Sequence, residues 1–218
     1  MKTFKISEIY KTAWSQITKN FWFLTVSTLV FGAIYMLFSM WKHGLVAFFF
    51  FLVSRIAWTI FSIGMIKIAF DLHKGLVPNV RHFETDVKTF FRMIWAGIIT
   101  VFFCIIGFVL LIVPGIIVAM RLSLTYYIII DKNMSSWQAI KESWELTRGY
   151  SWKIFGLSIL SGIIILISII PFGLGLLVSI PFVLLSYVGL YLKIKELVPQ
   201  SVSTSKVEPP MVEPTVTV

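Results

Sequence analysis

IWAGIITVFFCIIGFVLLIVPGIIVAMRLSLTYYIII, residues 94–130, holds one charge, Arg121, and one Pro-Gly pair, Pro114-Gly115, near its middle. A membrane-spanning helix takes about 20 apolar residues, so this stretch is long for one crossing and short for two. Proline removes a helical donor and glycine accepts positive φ, so the pair can end one helix and begin another. Three layouts fit: two spans joined by a Pro-Gly turn, a re-entrant pair, or one long kinked helix. The flanking charges favour the first. If the chain doubles back here, segments 1–20, 69–92, 131–153 and 193–218 share one side and hold 15 of the 19 basic residues. A single rod would carry seven of those fifteen to the far face. Basic residues gather on the cytoplasmic side of a membrane, which argues for the hairpin. Against it stands the length of the second helix, since residues 116–130 reach only ~22 Å across a ~30 Å layer.

Working outward, the rest of the chain reads alike. Of 218 residues 58% are hydrophobic and 13% charged, about half the charge of a soluble domain. That excludes a soluble enzyme with a tail anchor. The formal charge of +9 reports orientation and anionic lipid headgroups rather than nucleic acid. The one cysteine, Cys104, lies in an apolar run and supports neither a disulfide framework nor a thiolate metal site. The polar first twenty residues are unlike a secretory signal, and no cleaved peptide is expected.

The 22 uncharged residues between Lys19 and Lys42 form the first span, and residues 44–68 the second, with Arg55 near its centre and Lys67 near its end. After Lys153 come 39 residues without a formal charge, interrupted by Pro171-Phe172-Gly173, which divide into spans at 154–170 and 173–192. Long continuous runs exclude the alternating strands of a membrane barrel. The expected fold is therefore all-α: a polytopic helical bundle of about six spans in three hairpins over residues 1–198, with both termini cytoplasmic. Residues 199–218, with four prolines and no helical period, are expected to form a disordered tail.

The polar segments share a pattern. Ile6, Ile9, Tyr10, Ala13, Trp14 and Ile17 follow a helical period with lysines and hydroxyls opposite, the mark of an amphipathic helix. The same period recurs at Val80, Phe83, Val87, Phe90, Phe91 and Ile94, and again at Trp137, Ile140 and Trp144, where Ser135 and Gln138 are spaced as a capping box. Lys11-Thr-Ala-Trp14 also aligns with Lys141-Glu-Ser-Trp144. The unit would be one in-plane helix before each hairpin, repeated three times, either by duplication or by convergent interface chemistry. Seven of the eight tryptophans fall near predicted boundaries, as an interfacial belt requires.

Candidate chemistry is sparse. Arg55 and Arg121 are costly inside a bilayer, and no acid within the spans pairs with them. Two guanidinium forks could line an anion path or hold a lipid phosphate. The plainer reading is snorkelling, or hydrogen bonds to backbone carbonyls and nearby hydroxyls. Asp71 and Asp131, at span ends, read as neutralising partners or caps. His43, His73 and His82 are scattered without metal-ligand spacing, and no cofactor, metal or nucleophile elbow is expected. Ser158 and Gly162 could let one helix pack closely. Pro181, inside the last span, is expected to kink it, as Pro114, Gly115, Pro171 and Gly173 are expected to turn the chain.

Residues 111–155, LIVPGIIVAMRLSLTYYIIIDKNMSSWQAIKESWELTRGYSWKIF, resemble an uncharacterised prokaryotic multi-pass family that also occurs as the membrane domain of some glycerophosphoryl diester phosphodiesterases. The likeness rests on Pro114-Gly115, Arg121, Asp131, Ala139, Ser143, Leu146, Thr147, Gly149 and Trp152, and extends over about residues 5–197. It implies a compact six-helix membrane domain with amphipathic connectors and no assigned chemistry. The expectation is a non-enzymatic integral protein of a prokaryotic cytoplasmic membrane, touching anionic lipid and supporting membrane organisation, a protein partner or its own oligomer. The alternative is a small transporter or channel for an anionic solute or lipid, using Arg55, Arg121 and the broken helices.

Overall fold

The computed structural model describes residues 4–39, 44–170 and 173–198. Among these the chain is helical, with no strand: α1 (Ile6–Lys19), α2 (Phe21–Ser39), α3 (Gly44–His73), α4 (Val87–Leu110), α5 (Ile112–Leu122), α6 (Thr125–Lys132), α7 (Ser136–Leu146), α8 (Ser151–Ile169) and α9 (Leu176–Leu197). The expected tail, Pro171 and Trp41 lie outside the described residues. Five stretches are long and apolar enough to cross a membrane, α5 and α6 counting as one, and α1 with α2 makes a sixth if that bent pair is one span. This is a multi-pass helical bundle.

The chain does double back in the decisive stretch. A Cβ placed on Gly107 would lie 2.9 Å from the Gly115 Cα, and one on Gly97 3.1 Å from the Tyr126 hydroxyl. Ten residues back along α4 match eleven residues on along α5 and α6, the register of an antiparallel pair. One rod would hold Gly107 and Gly115 about 12 Å apart.

The turn, however, is not the Pro-Gly pair. Leu111 alone reverses the chain, in an extended conformation (φ −169°, ψ 151°), and its carbonyl accepts the Gly115 N–H at 3.2 Å. Pro114 sits in the first turn of α5, where helical N–H groups have no intrahelical acceptor and a proline costs little. Gly115 is not at positive φ. Its missing side chain is needed because a Cβ there would strike the Phe108 ring at 2.6 Å. Starting at Ile112 also removes the length objection: Ile112–Lys132 is 21 residues, or ~31 Å, with a local break at Ser123-Leu124.

The other two hairpins follow expectation. Phe31 stacks near Phe61 and Tyr35 near Trp58 across α2 and α3. The Ser158 hydroxyl meets the Tyr187 hydroxyl at 2.8 Å across α8 and α9. Gly173 does adopt positive φ (78°) after α8, as a turn glycine should. α9 runs unbroken through Pro181 from Leu176 to Leu197 and is the central helix, packed on α1, α2, α3 and α8.

At one end the polar segments meet. α1 makes an 87° bend with α2 and buries Ile9, Ala13 and Ile17 on the bundle. Gln16 donates to the Leu72 carbonyl at 3.2 Å and Lys153 to the Phe4 carbonyl at 3.1 Å. The second expected in-plane helix is absent. Only a single 3-10 turn, Val80–Phe83, forms there, and residues 87–94 are instead the first turns of α4. The third exists as α7, with its capping box in place. Ala13 and Ser143, aligned in the two halves, are both fully buried, while Trp14 and Trp144 are both exposed. The threefold repeat thus reduces to a twofold likeness between α1 and α7.

Candidate functional site

Arg121 closes the last turn of α5 and α7 comes to meet it. Its Nη1 donates to the Trp144 carbonyl at 3.1 Å, and its guanidinium carbon lies 5.1 Å from the Trp144 ring centroid. In return the Ser143 hydroxyl donates to the Arg121 carbonyl at 2.7 Å. Each helix therefore satisfies a terminal carbonyl of the other, groups that a helix end cannot satisfy alone. A guanidinium over an indole face adds a cation–π attraction. Of the Arg121 donors, Nε is buried without a partner.

Beside this clasp lies a groove of about 330 Å³. Phe103 of α4 and Val118 and Leu122 of α5 form one side. From α7 come Trp137, Ile140, Lys141, Trp144 and Glu145. The Lys141 ammonium sits 5.5 Å from the Trp137 ring centroid, and Trp137 stacks on Phe103 at 6.5 Å. α7 exposes its tryptophans because the face it buries is made of smaller side chains, Ser136, Ala139, Ile140, Ser143 and Leu146. A second cavity of about 350 Å³ flanks the other side of α5, reaching Ser123, Ser158 and Tyr187.

Arg55 is elsewhere. It is exposed on α3, one turn beyond Trp58, which faces Tyr35 in the last described side chains of α2. It lies 11 residues after Gly44 and 18 before His73, in the middle third of α3. Arg55 and Arg121 share no hydrogen-bond or ion-pair partner among the described residues. The hydrogen bond from Arg121 to a backbone carbonyl follows the plainer reading of that residue.

Asp131, Glu142 and Asp71 each pair with a base. An Asp131 carboxylate oxygen accepts from the Tyr191 hydroxyl at 2.7 Å and from Lys195 at 2.5 Å, and Glu142 pairs with Lys132 at 2.5 Å. These contacts tie α6, α7 and α9 together. Asp71 pairs with His82 Nε2, whose Nδ1 faces the Asn79 carbonyl at 2.7 Å. Both ring nitrogens therefore face oxygen atoms of neighbouring residues. His73 Nδ1 meets the Ala69 carbonyl, and His43 is outside the described residues. Among the described residues no three His, Cys, Asp or Glu side chains gather into a metal site. The groove itself went unread in the sequence, although Trp137, Lys141 and Trp144 at helical spacing were its signal.

No protein-family model, curated protein or solved structure matches this chain.

Proposed function

We propose that this protein is a non-catalytic constituent of a prokaryotic cytoplasmic membrane that rests its cationic end on anionic lipid and supports membrane organisation or a partner there. The observation that carries the reading is the meeting of α1, the 74–86 connection, the α7 segment and the end of α9 at one end of the bundle. Lys5, Lys11, Lys19, Lys74, Arg81, Lys88 and Arg148 are all exposed around it. Clustered bases at a membrane surface attract anionic headgroups, each worth about 1 kcal/mol near the surface. Trp14, Trp22 and Trp152 are exposed in the same region, as interfacial indoles are. The resemblance to phosphodiesterase membrane domains agrees with a supporting role and brings no catalytic residue with it.

A second reading, a carrier of an anionic solute or lipid, draws on the cavities that flank α5 on two sides. Reconstitution separates the two. Vesicles rich in phosphatidylglycerol should show no solute flux above empty vesicles, and the purified protein should retain less of that lipid when Lys5, Lys11 and Lys19 become Gln. Flux that disappears in Arg121→Lys, a variant that keeps the charge, would instead favour transport. Single cysteines at Ser135 and Ser201, in a Cys104→Ser background, should resist an impermeant reagent in intact cells. Labelling of both would overturn the orientation.

A further inference from the structure

Lys141 and Glu145 both line the groove, one helical turn apart on α7, and neither has an ion-pair partner among the described residues. Positions i and i+4 of a helix lie about 5–6 Å apart at Cβ. Such a pair commonly joins across the helix surface, but here the Lys141 ammonium lies over the Trp137 ring instead. The space beneath is apolar, formed by Phe103, Val118, Leu122 and Ile140. A matching occupant brings an apolar chain, an anion for Lys141 and, about one helical turn away, a cation for Glu145.

We propose that this groove binds an aminophospholipid of the phosphatidylethanolamine type. One acyl chain lies between α4, α5 and α7, the phosphate sits on Lys141 and the primary ammonium donates to Glu145. The two carbons between phosphate and ammonium give a reach comparable with a helical turn. A phosphatidylglycerol headgroup satisfies Lys141 but leaves Glu145 facing added negative charge. A choline headgroup has no N–H to donate to the carboxylate. Trp137 and Trp144 flank the headgroup as amphipathic walls, and the Arg121 clasp holds Trp144 in place. The site rests on the reading that the bundle lies in a lipid bilayer, but it is distinct from the general attraction of anionic lipid to the cationic end.

Native mass spectrometry of the full-length protein, released from mixed micelles with equal ethanolamine, glycerol and choline phospholipids of matched chains, tests it. One bound lipid is expected, with ethanolamine preferred roughly tenfold, the scale of one charge-assisted hydrogen bond. Glu145→Gln should bring the ethanolamine-to-glycerol ratio to about one, while Lys141→Met should lower retention of all three. Stepwise N-methylation of the ethanolamine lipid, applied to the unaltered protein, should abolish the preference at the trimethyl stage and depends on no variant folding. Equal or better retention of phosphatidylglycerol by the unaltered protein, or a preference that survives Glu145→Gln, overturns the site. The Lys5, Lys11 and Lys19 triple substitution reads the surface separately: if it still depletes phosphatidylglycerol, only the groove proposal falls.

Discussion

Residues 74–86 and 133–150 both connect one hairpin to the next at the same end of the bundle, and both carry apolar residues at a helical period, yet they fold differently. In the first, Pro78 cannot donate and Asn79 spends its side chain on the Arg81 N–H at 3.1 Å, which closes one 3-10 turn and no more. Phe83 then turns inward against Phe31 and Phe61, into the notch left by Gly64. In the second, the Gln138 side chain accepts from the Ser135 N–H at 3.3 Å and from its hydroxyl at 2.9 Å, closing the N-terminus of a full helix. That helix buries Ser136, Ala139, Ile140, Ser143 and Leu146, no aromatic ring among them, and needs no notch. Period alone does not choose between the two outcomes. The cap, and the hole available to a large side chain, do.

The contrast breaks most sharply at Phe83. Phe83→Ala should destabilise the bundle by about 3 kcal/mol, the usual cost of emptying an aromatic site that cannot collapse, read as a shifted midpoint in detergent-titrated unfolding. Gly64→Ala attacks the same contact from the other side, since its Cβ would sit 2.3 Å from the Phe83 ring. The two together should cost clearly less than their sum, because removing the ring removes the clash. Additive effects would mean that the first connection is not anchored by this ring.

Ser143 is the corresponding hold on the second connection, and a weaker one. Ser143→Ala leaves the part-buried Arg121 carbonyl with only the distant Thr147 hydroxyl at 3.4 Å, a loss of about 1–2 kcal/mol. The same variant should loosen Trp144, seen as a red shift in tryptophan emission relative to Trp152→Phe controls. An effect as large as that of Phe83→Ala would erase the distinction between a connection held by a ring and one held by capping bonds.

The span layout was legible because it depends on quantities a linear sequence carries: run length, and on which side the charges fall. The basic residues favour the pairing of α4 with α5 over a single rod, without deciding it. The residue that makes the turn was not legible, since Leu111 is extended only because Gly107 and Gly115 can touch, a tertiary contact that favours a reversal before the Pro-Gly pair. Arg121 was visible as an oddity, but its acceptor, the Trp144 carbonyl, is a backbone group 23 residues away that no motif announces. Trp137 and Trp144 fit an interfacial belt in sequence because an exposed indole looks alike whether it faces lipid at large or walls a groove, as these do. The 80–94 period suggests an in-plane helix because Val87, Phe90 and Ile94 keep it into α4, but Thr85 and Asp86 break the chain between the 3-10 turn and that helix.

The smallest expected effect sharpens the comparison most directly. Ser135→Ala removes one half of the capping box and should cost about 1 kcal/mol of helix stability. The loss should be local. α7 is also held by Ser143 and by the Glu142–Lys132 pair, so its C-terminal half should keep its hydrogen-exchange protection while the first turn, Ser136 to Ala139, exchanges faster. The equivalent cap in the other connection, Asn79→Ala, has only one turn to lose and should leave protection in α4 unchanged, because α4 starts separately after Asp86. If instead Ser135→Ala frays α7 through Trp144, the cap rather than the Arg121 clasp holds that helix against the bundle. The two connections would then differ only in the strength of their caps, and the notch that receives Phe83 would be incidental to the fold.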